Sequence, residues 1–184
     1  MPKSLAKVSK KITNKRKHAG KASAMHEHSR DSRRLQRAAA RDTRLVKTLD
    51  SRSRQNMPYL ERIAHFKDAL ATTFSTATAL AQPDIHDLIV SCIARDADEL
   101  EQLHSTRRAG RPPGSREQLL EQRVERENKE FDGGFYLPDL EDADTVDKVR
   151  GWDGEWVSCN SMKFVRVTRE GERRESAWPP NGLS

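Results

Sequence analysis

The stretch that decides the fold is residues 83–103, PDIHDLIVSCIARDADELEQL, in the middle of a chain of 184 residues. Its apolar side chains recur every three or four residues, the period of an α-helix with one buried face; they are Ile85, Leu88, Ile89, Cys92, Ile93, Leu100 and Leu103. Pro83 suits the first turn of a helix, and the glycine- and proline-rich segment 110–114 would end it near Arg107. The pattern predicts one continuous amphipathic helix.

Similar helices are predicted on both sides of this stretch. Pro58 fits the first turn of a helix that runs to about Thr76 and carries apolar residues at helical spacing. After the segment 110–114, Ser115 and Gln118 have the spacing of a capping box, which opens a further helix. Because three amphipathic helices can enclose a core, residues 56–132 are predicted to form a small helical bundle.

Outside this bundle the composition supports little further core. Only 34% of the residues are apolar and the mean hydropathy is −0.90, against roughly 45–50% apolar residues in an ordinary soluble domain. No run approaches the roughly 18 apolar residues of a membrane span. Cys92 and Cys159 are too few for a disulfide scaffold or a four-thiolate zinc site. These features argue against a membrane protein, a secreted mini-protein and a zinc-ribbon protein.

Positive charge is concentrated at the start of the chain. Residues 1–54 contain 17 basic and 4 acidic side chains and no aromatic residue, whereas the remaining residues contain 17 basic and 24 acidic ones. Residues 1–24, with eight basic residues and no acidic one, are predicted to be a disordered or extended tail. Residues 25–55 lack glycine and proline and are predicted to form one long arginine-rich helix whose thin apolar stripe needs a partner surface.

Such a basic arm is typical of proteins that bind polyanions. Without aromatic side chains it cannot stack unpaired bases, so recognition of phosphates and shape in a duplex or a folded RNA is favoured over single-strand binding. Composition alone does not choose between RNA and DNA. The candidate RNA-binding residues are Lys3, Lys7, Lys10, Lys11, Lys15, Arg16, Lys17, Lys21, Arg30, Arg33, Arg34, Arg37, Arg41 and Arg44.

The C-terminal extension, residues 133–184, has a different character, since it is acidic and rich in aromatic residues. Only a short β-hairpin is predicted in it, near residues 156–168, and FYLPDL at 135–140 has the pattern of an exposed apolar turn. The aromatic residues could fold back onto the helices or dock on a protein partner. The candidate docking residues are Phe135, Tyr136, Trp152 and Trp156.

Catalytic, metal-binding and cofactor-binding patterns are not evident in the sequence. It has no glycine-rich phosphate loop and no dinucleotide fingerprint. His26 and His28 would point to nearly opposite faces of a helix, and Cys92 lies on the apolar stripe, where a buried role is normal. We therefore predict no catalytic residue, no metal site, no cofactor and no small-molecule substrate.

Three short motifs in the C-terminal half carry a resemblance to a known family. Pro138-Asp139-Leu140, Trp152-Asp153-Gly154 and Lys163-Phe164-Val165-Arg166, together with the helical segment before them, match it in order and spacing. Over essentially all 184 residues the chain resembles the translation machinery-associated protein 16 family, and its Met-Pro-Lys opening and short C-terminus are similar to the fungal forms.

The resemblance implies a non-enzymatic ribosome biogenesis factor that binds the precursor of the large ribosomal subunit. Its partners would be ribosomal RNA, ribosomal proteins and other assembly factors, with no membrane association. Its location would be the nucleus and nucleolus, with shuttling to the cytoplasm as an option. Since ribosomal RNA would then be the polyanion, the arm would order along it.

Two other classes stay open. One is a structural ribosomal protein, which could be mitochondrial, because Leu5, Val8 and Ile12 have the spacing of an amphipathic transit peptide. The other is a helical module that binds chromatin DNA. An enzyme ranks last.

Overall fold

The computed structural model describes residues 4–18, 20, 25–108 and 110–180, and it divides into two units, Met1–Gln55 and Asn56–Ser184. The predicted fold class is confirmed: the chain is mainly α, with a long basic helix, a helical core and a small C-terminal sheet. None of the helices in the described segments combines the length and the hydrophobicity that a membrane crossing needs. The helices are α1 (Leu5–His18), α2 (Arg30–Thr72), α3 (Gln82–Ile93), α4 (Ala97–Thr106), α5 (Ser115–Gly133) and α6 (Ala143–Arg150), and the strands are β1 (Phe135–Pro138), β2 (Phe164–Val167) and β3 (Arg173–Ser176).

The prediction of an extended N-terminal tail is wrong for Leu5–His18, which form α1. Val8 and Ile12 lie one turn apart on the same side of this helix and are buried in a small cluster with Ala38 of α2. The few apolar residues of the tail therefore share one face and find a matching face on the next helix. The long basic helix begins at Arg30 rather than near residue 25.

The prediction that Pro58 starts a new helix is also wrong, because α2 continues through it to Thr72. A proline inside a helix removes one hydrogen bond and crowds the preceding turn, at a cost of about 3 kcal/mol. The residues that follow, Ile63, Phe66 and Leu70, are almost completely buried in the core of the second unit. Their burial offsets the cost, since each such side chain contributes about 1.5–3 kcal/mol.

The single helix predicted over residues 83–107 is divided into α3 and α4, with a turn between Ile93 and Ala97. Five apolar residues of α3 are buried while Val90 is exposed, and α4 buries none of its side chains fully. Within the turn, the Arg95 guanidinium donates hydrogen bonds to the Cys92 carbonyl oxygen and to Glu127 of α5. The helix thus breaks where an arginine turns inward to meet a buried carboxylate.

The start of α5 differs by one residue from the predicted capping box. Its N-cap is Gly114 rather than Ser115, and the Glu117 carboxylate, not Gln118, accepts the Gly114 backbone N–H at 3.1 Å. The charged side chain is the stronger acceptor, and a carboxylate in the first turn also interacts favourably with the helix dipole.

A buried ion network, formed by Arg62, Arg95, Arg123, Glu127 and Glu130, joins α2, the turn after α3 and α5 within the second unit. Glu127 is at its centre: its carboxylate accepts two hydrogen bonds from Arg95, at 2.8 and 3.0 Å. Arg62 makes a bidentate pair with Glu130, at 2.9 and 2.6 Å. The pKa of Arg123 lies below its ordinary value because burial and the charge of Arg95 both disfavour its charged form.

The C-terminal sheet contains three antiparallel strands in the order β1-β2-β3. The hairpin predicted near residues 156–168 is wrong in its pairing: Val157–Ser161 form a 3₁₀ turn, and β2 pairs instead with β1 and β3. The expected exposure of the turn at 135–140 is wrong too, because every residue of β1 is buried. The Tyr136 ring stacks on Phe164, with centroids 5.0 Å apart.

Asp142 connects α6 to β2 and gives the second unit an acid-sensitive contact. Its carboxylate accepts the backbone N–H and the hydroxyl of Thr145 and pairs with Lys163 Nζ at 2.8 Å. The Lys163 and Thr145 hydrogen bonds lower the pKa of Asp142 from 3.8 to about 2. A carboxyl whose pKa is depressed on folding stabilises the protein above its ordinary pKa, and this contribution is lost as the pH falls towards the folded value.

We therefore expect the melting temperature of Asp142→Asn to fall less steeply than that of the wild type as the pH is lowered from 3.8 to about 2. Thermal melts followed by circular dichroism across this range measure the difference. Asp144→Asn, in the first turn of the same helix but outside these hydrogen bonds, is the matched control. A parallel pH profile for Asp142→Asn and the wild type would contradict the assignment.

Candidate nucleic-acid interface

The N-terminal unit presents cations on most of its α1 surface. Val8 and Ile12 take up the inner face, so the lysines lie on the remaining faces; Lys7, Lys10, Lys11, Lys15 and Lys17 are all exposed. The Asp42 carboxylate of α2 accepts the backbone N–H of Leu5 at 2.7 Å. This bond satisfies one of the orphan donors at the start of α1 and fixes that end of the helix beside α2.

Arginines of α2 line two open grooves, one of which also borders α1. Arg34, Arg37 and Arg41 line one of about 380 Å³ together with Val8 and Ala38. The other, of about 540 Å³, is lined by Arg33, Gln36, Arg37 and Ala40. Arg37 borders both grooves. Guanidinium groups around a concave surface suit phosphates, because each one offers several N–H donors in a fixed plane.

Most cations of this unit have no carboxylate partner among the described residues, whereas many arginines of the second unit are paired with carboxylates. Among the described residues, no carboxylate lies within 4.0 Å of the charged nitrogens of Lys7, Lys10, Lys11, Lys15, Lys17, Arg30, Arg33, Arg34, Arg37 or Arg44. In the second unit, ion pairs with carboxylates are made by Arg62, Arg95, Arg107, Arg116, Arg123, Arg150, Arg169, Arg173 and Arg174. The positive potential of the first unit is therefore left for an external anion.

Most of the candidate RNA-binding residues that the structure describes are exposed on α1 or α2. Arg30, Arg33, Arg34, Arg37 and Arg44 are exposed on α2, while Arg16 and Arg41 are half-buried. Lys3 and Lys21 lie outside the described residues. Sequence reasoning missed Lys47 and Arg52, which are exposed on the same helix and could have been found by continuing the helical period beyond Arg44.

The candidate docking residues of the C-terminal extension, unlike the candidate RNA-binding residues, are mostly buried. Phe135, Tyr136 and Trp152 are buried. A docking role requires exposed side chains, so the prediction of docking is wrong for these three. The aromatic residues fold back onto the protein, the other option that the sequence left open. Trp156 is half-buried and contacts Trp178, with ring centroids 4.1 Å apart. Burial follows because stacked aromatic rings remove much apolar surface from water.

The reactive side chains of the second unit are engaged in structural roles. Burial raises the pKa of both the Cys92 and the Cys159 thiol to about 11, which keeps them protonated at neutral pH. One group of metal-ligand side chains converges in the described part of the chain: His104, Glu117 and Glu121. Arg107 Nη1 lies 3.0 Å from the buried Glu117 oxygen that faces His104, so this carboxylate oxygen is already paired with a cationic side chain.

Comparison with known sequences identifies the family. The family model described as translation machinery-associated protein 16 matches residues 21–169, most of the chain. This protein belongs to the translation machinery-associated protein 16 family. The Saccharomyces cerevisiae protein of that name is 32% identical over 172 residues, which are 93% of this chain and 94% of the yeast protein.

Two vertebrate members of the family are also similar. The Danio rerio protein is 24% identical over 149 residues, covering 80% of this chain and 77% of its own length. The Mus musculus protein is 31% identical over 95 residues, covering 49% of this chain and 43% of its own length. The family match includes α2, the helical core and the sheet through β2, so the predicted relationship is confirmed across both units.

Proposed function

We propose that this member of the translation machinery-associated protein 16 family binds ribosomal RNA of the large-subunit precursor and acts as a non-enzymatic assembly factor. The observation that carries the proposal is the surface of exposed lysines and arginines on α1 and α2 that have no carboxylate partner among the described residues. The name of the yeast relative supplies the setting, since it describes a protein associated with the translation machinery. Ribosomal RNA is the abundant polyanion of that machinery.

The form of the surface favours structured RNA. It carries guanidinium-lined grooves but no aromatic side chain, because the first aromatic residue of the chain is Tyr59. Phosphates of a helix can fill such grooves, whereas unpaired bases find no ring to stack on. We accordingly propose a nuclear and nucleolar protein that contacts RNA helices in a precursor particle, together with ribosomal proteins and other assembly factors.

A salt series on the full-length protein tests the proposal. Binding of N phosphates gives a slope of log affinity against log salt of about −0.9N on a duplex and about −0.7N on a single strand. With about half of the arm's cations on phosphates, we expect a slope on the order of −6 or steeper on a large-subunit rRNA helix. Fluorescence anisotropy with labelled duplex and single-stranded RNA of equal length measures it.

The rival is an interaction carried by the second unit, with the arm acting only as a localisation signal. That arrangement gives a shallow slope, and it leaves binding to a precursor particle unchanged when the exposed lysines of α1 are replaced by glutamine. A steep slope on the duplex, with weaker binding of the single strand, would support RNA binding by the arm. Equal binding of both RNAs with a shallow slope would refute the proposal.

A further inference from the structure

The helix α2 carries an uncovered apolar strip directly after the segment that α1 covers. Leu45, Val46 and Leu49 are 56%, 64% and 64% exposed. They continue the face on which Leu35 and Ala38 pack against α1, and the cover stops near Asp42, which binds the first residue of α1. Three large apolar side chains within two turns, exposed to water, are typical of an interaction site.

The charges around the strip indicate which kind of segment can bind there. Arg52 lies two turns after Leu45 on the same side of α2, and Arg44 and Lys47 are exposed on the same stretch of the helix. The two acids nearby already have partners in the arm, because Asp50 pairs with Arg54. Asp42 binds the start of α1 and lies 3.9 Å from Arg41. An apolar strip in a positive field is complementary to a segment that is both apolar and acidic.

We propose that the strip Leu45–Leu49 docks an acidic amphipathic helix of a partner protein. RNA is not the occupant, because the three side chains offer no donor to phosphates. A second copy of this chain is disfavoured, because it would bring two positive strips together. A helix is the favoured form, because its i, i+3, i+4 apolar residues can lie along those of α2. A standard interface needs about 800 Å² on each side, so the partner also contacts the flanking cations.

A designed peptide probe tests this on the full-length chain. The probe is a fluorescent three-heptad helix with leucine at its apolar positions and glutamate around them; its counterpart replaces the glutamates with lysines. We expect the acidic peptide to bind the wild type and the lysine peptide not to bind. The triple variant Leu45→Gln, Val46→Gln, Leu49→Gln should weaken binding of the acidic peptide about tenfold or more. Glutamine is a good helix former, so α2 persists in this variant.

The matched control removes three exposed apolar side chains from the second unit: Val90→Gln, Leu119→Gln and Val157→Gln. We expect this control to bind the acidic peptide like the wild type, and the strip variant to retain the wild-type affinity for duplex RNA. Each of the following would overturn the proposal: no binding of the acidic peptide, equal binding by the strip variant, equal loss in the control, or loss of RNA affinity in the strip variant. Sedimentation showing a dimer that the strip variant dissolves would overturn it in favour of self-association.

Discussion

Reversing Arg33, Arg34, Arg37 and Arg44 to glutamate is expected to lower the affinity for duplex RNA on the order of 100-fold at physiological salt. Arg33, Arg34 and Arg37 line the grooves of α2, and Arg44 is exposed about two turns beyond Arg37. Each phosphate contact that is lost should make the salt slope shallower by about one. Because these side chains are exposed and hold no carboxylate among the described residues, their reversal leaves the core intact.

The control variant changes the net charge equally at four exposed cations of the second unit: Arg108→Glu, Arg111→Glu, Arg126→Glu and Lys148→Glu. If only the total charge mattered, both variants would lose the same affinity. We expect the control to keep most of its affinity and its slope, since screening limits these charges to a range of about 8–10 Å. Equal losses in anisotropy titrations of the two variants would contradict a specific role of the arm.

Replacing Glu127 by glutamine is expected to lower the free energy of unfolding by about 3–5 kcal/mol, the usual cost of breaking a buried ion pair. Glutamine keeps the shape of the side chain but removes the charge that faces Arg95, Arg62 and Arg123. Arg62 retains Glu130 and Arg123 retains Asp96. In the described part of the chain, the one carboxylate left near Arg95 is the exposed Glu61, at 4.0 Å. The charge of Arg95 is then inside the protein without a close counter-charge.

Urea unfolding followed by tryptophan fluorescence measures this loss, because all three tryptophans belong to the second unit. Glu125→Gln, on the exposed face of the same helix, removes the pair with Lys129 and should leave the unfolding midpoint unchanged. The double variant Arg95→Met, Glu127→Leu should lose less than the sum of its single variants, since it removes both charges together. A midpoint for Glu127→Gln equal to that of Glu125→Gln would contradict the role of the network.

The parts of the fold that sequence reasoning found are those that depend on local order. The apolar period of α3 and the stretch around Phe66 and Leu70 are one-dimensional patterns, and both are buried as predicted. The pair of Arg62 and Glu130 joins residues 68 positions apart, and nothing in the local sequence distinguishes these two from the many exposed charges. Pro58 misled because its local preference for a helix start yields to the burial of the residues after it.

The candidate site followed the same division. The surplus of lysine and arginine in residues 1–54 can be counted without knowing the fold, and it was enough to select candidates that are exposed on α1 and α2. Whether the aromatic side chains of the C-terminal extension are buried or exposed could not be deduced from composition. Tyr136 is buried in β1, where it pairs with Arg166 of β2, 30 positions further along the chain. An aromatic, acidic segment has the same composition whether it packs inward or binds a partner.

The small contact between α1 and α2 determines how often α1 opens locally. Its core consists of Val8, Ile12 and Ala38, and a helix of 14 residues is only marginally stable in water without tertiary support. Backbone amides of α1 are therefore expected to exchange with deuterium through frequent local opening, far faster than those of α5. An RNA that neutralises the lysines of α1 favours the closed helix, so protection of these amides reports occupancy of the surface.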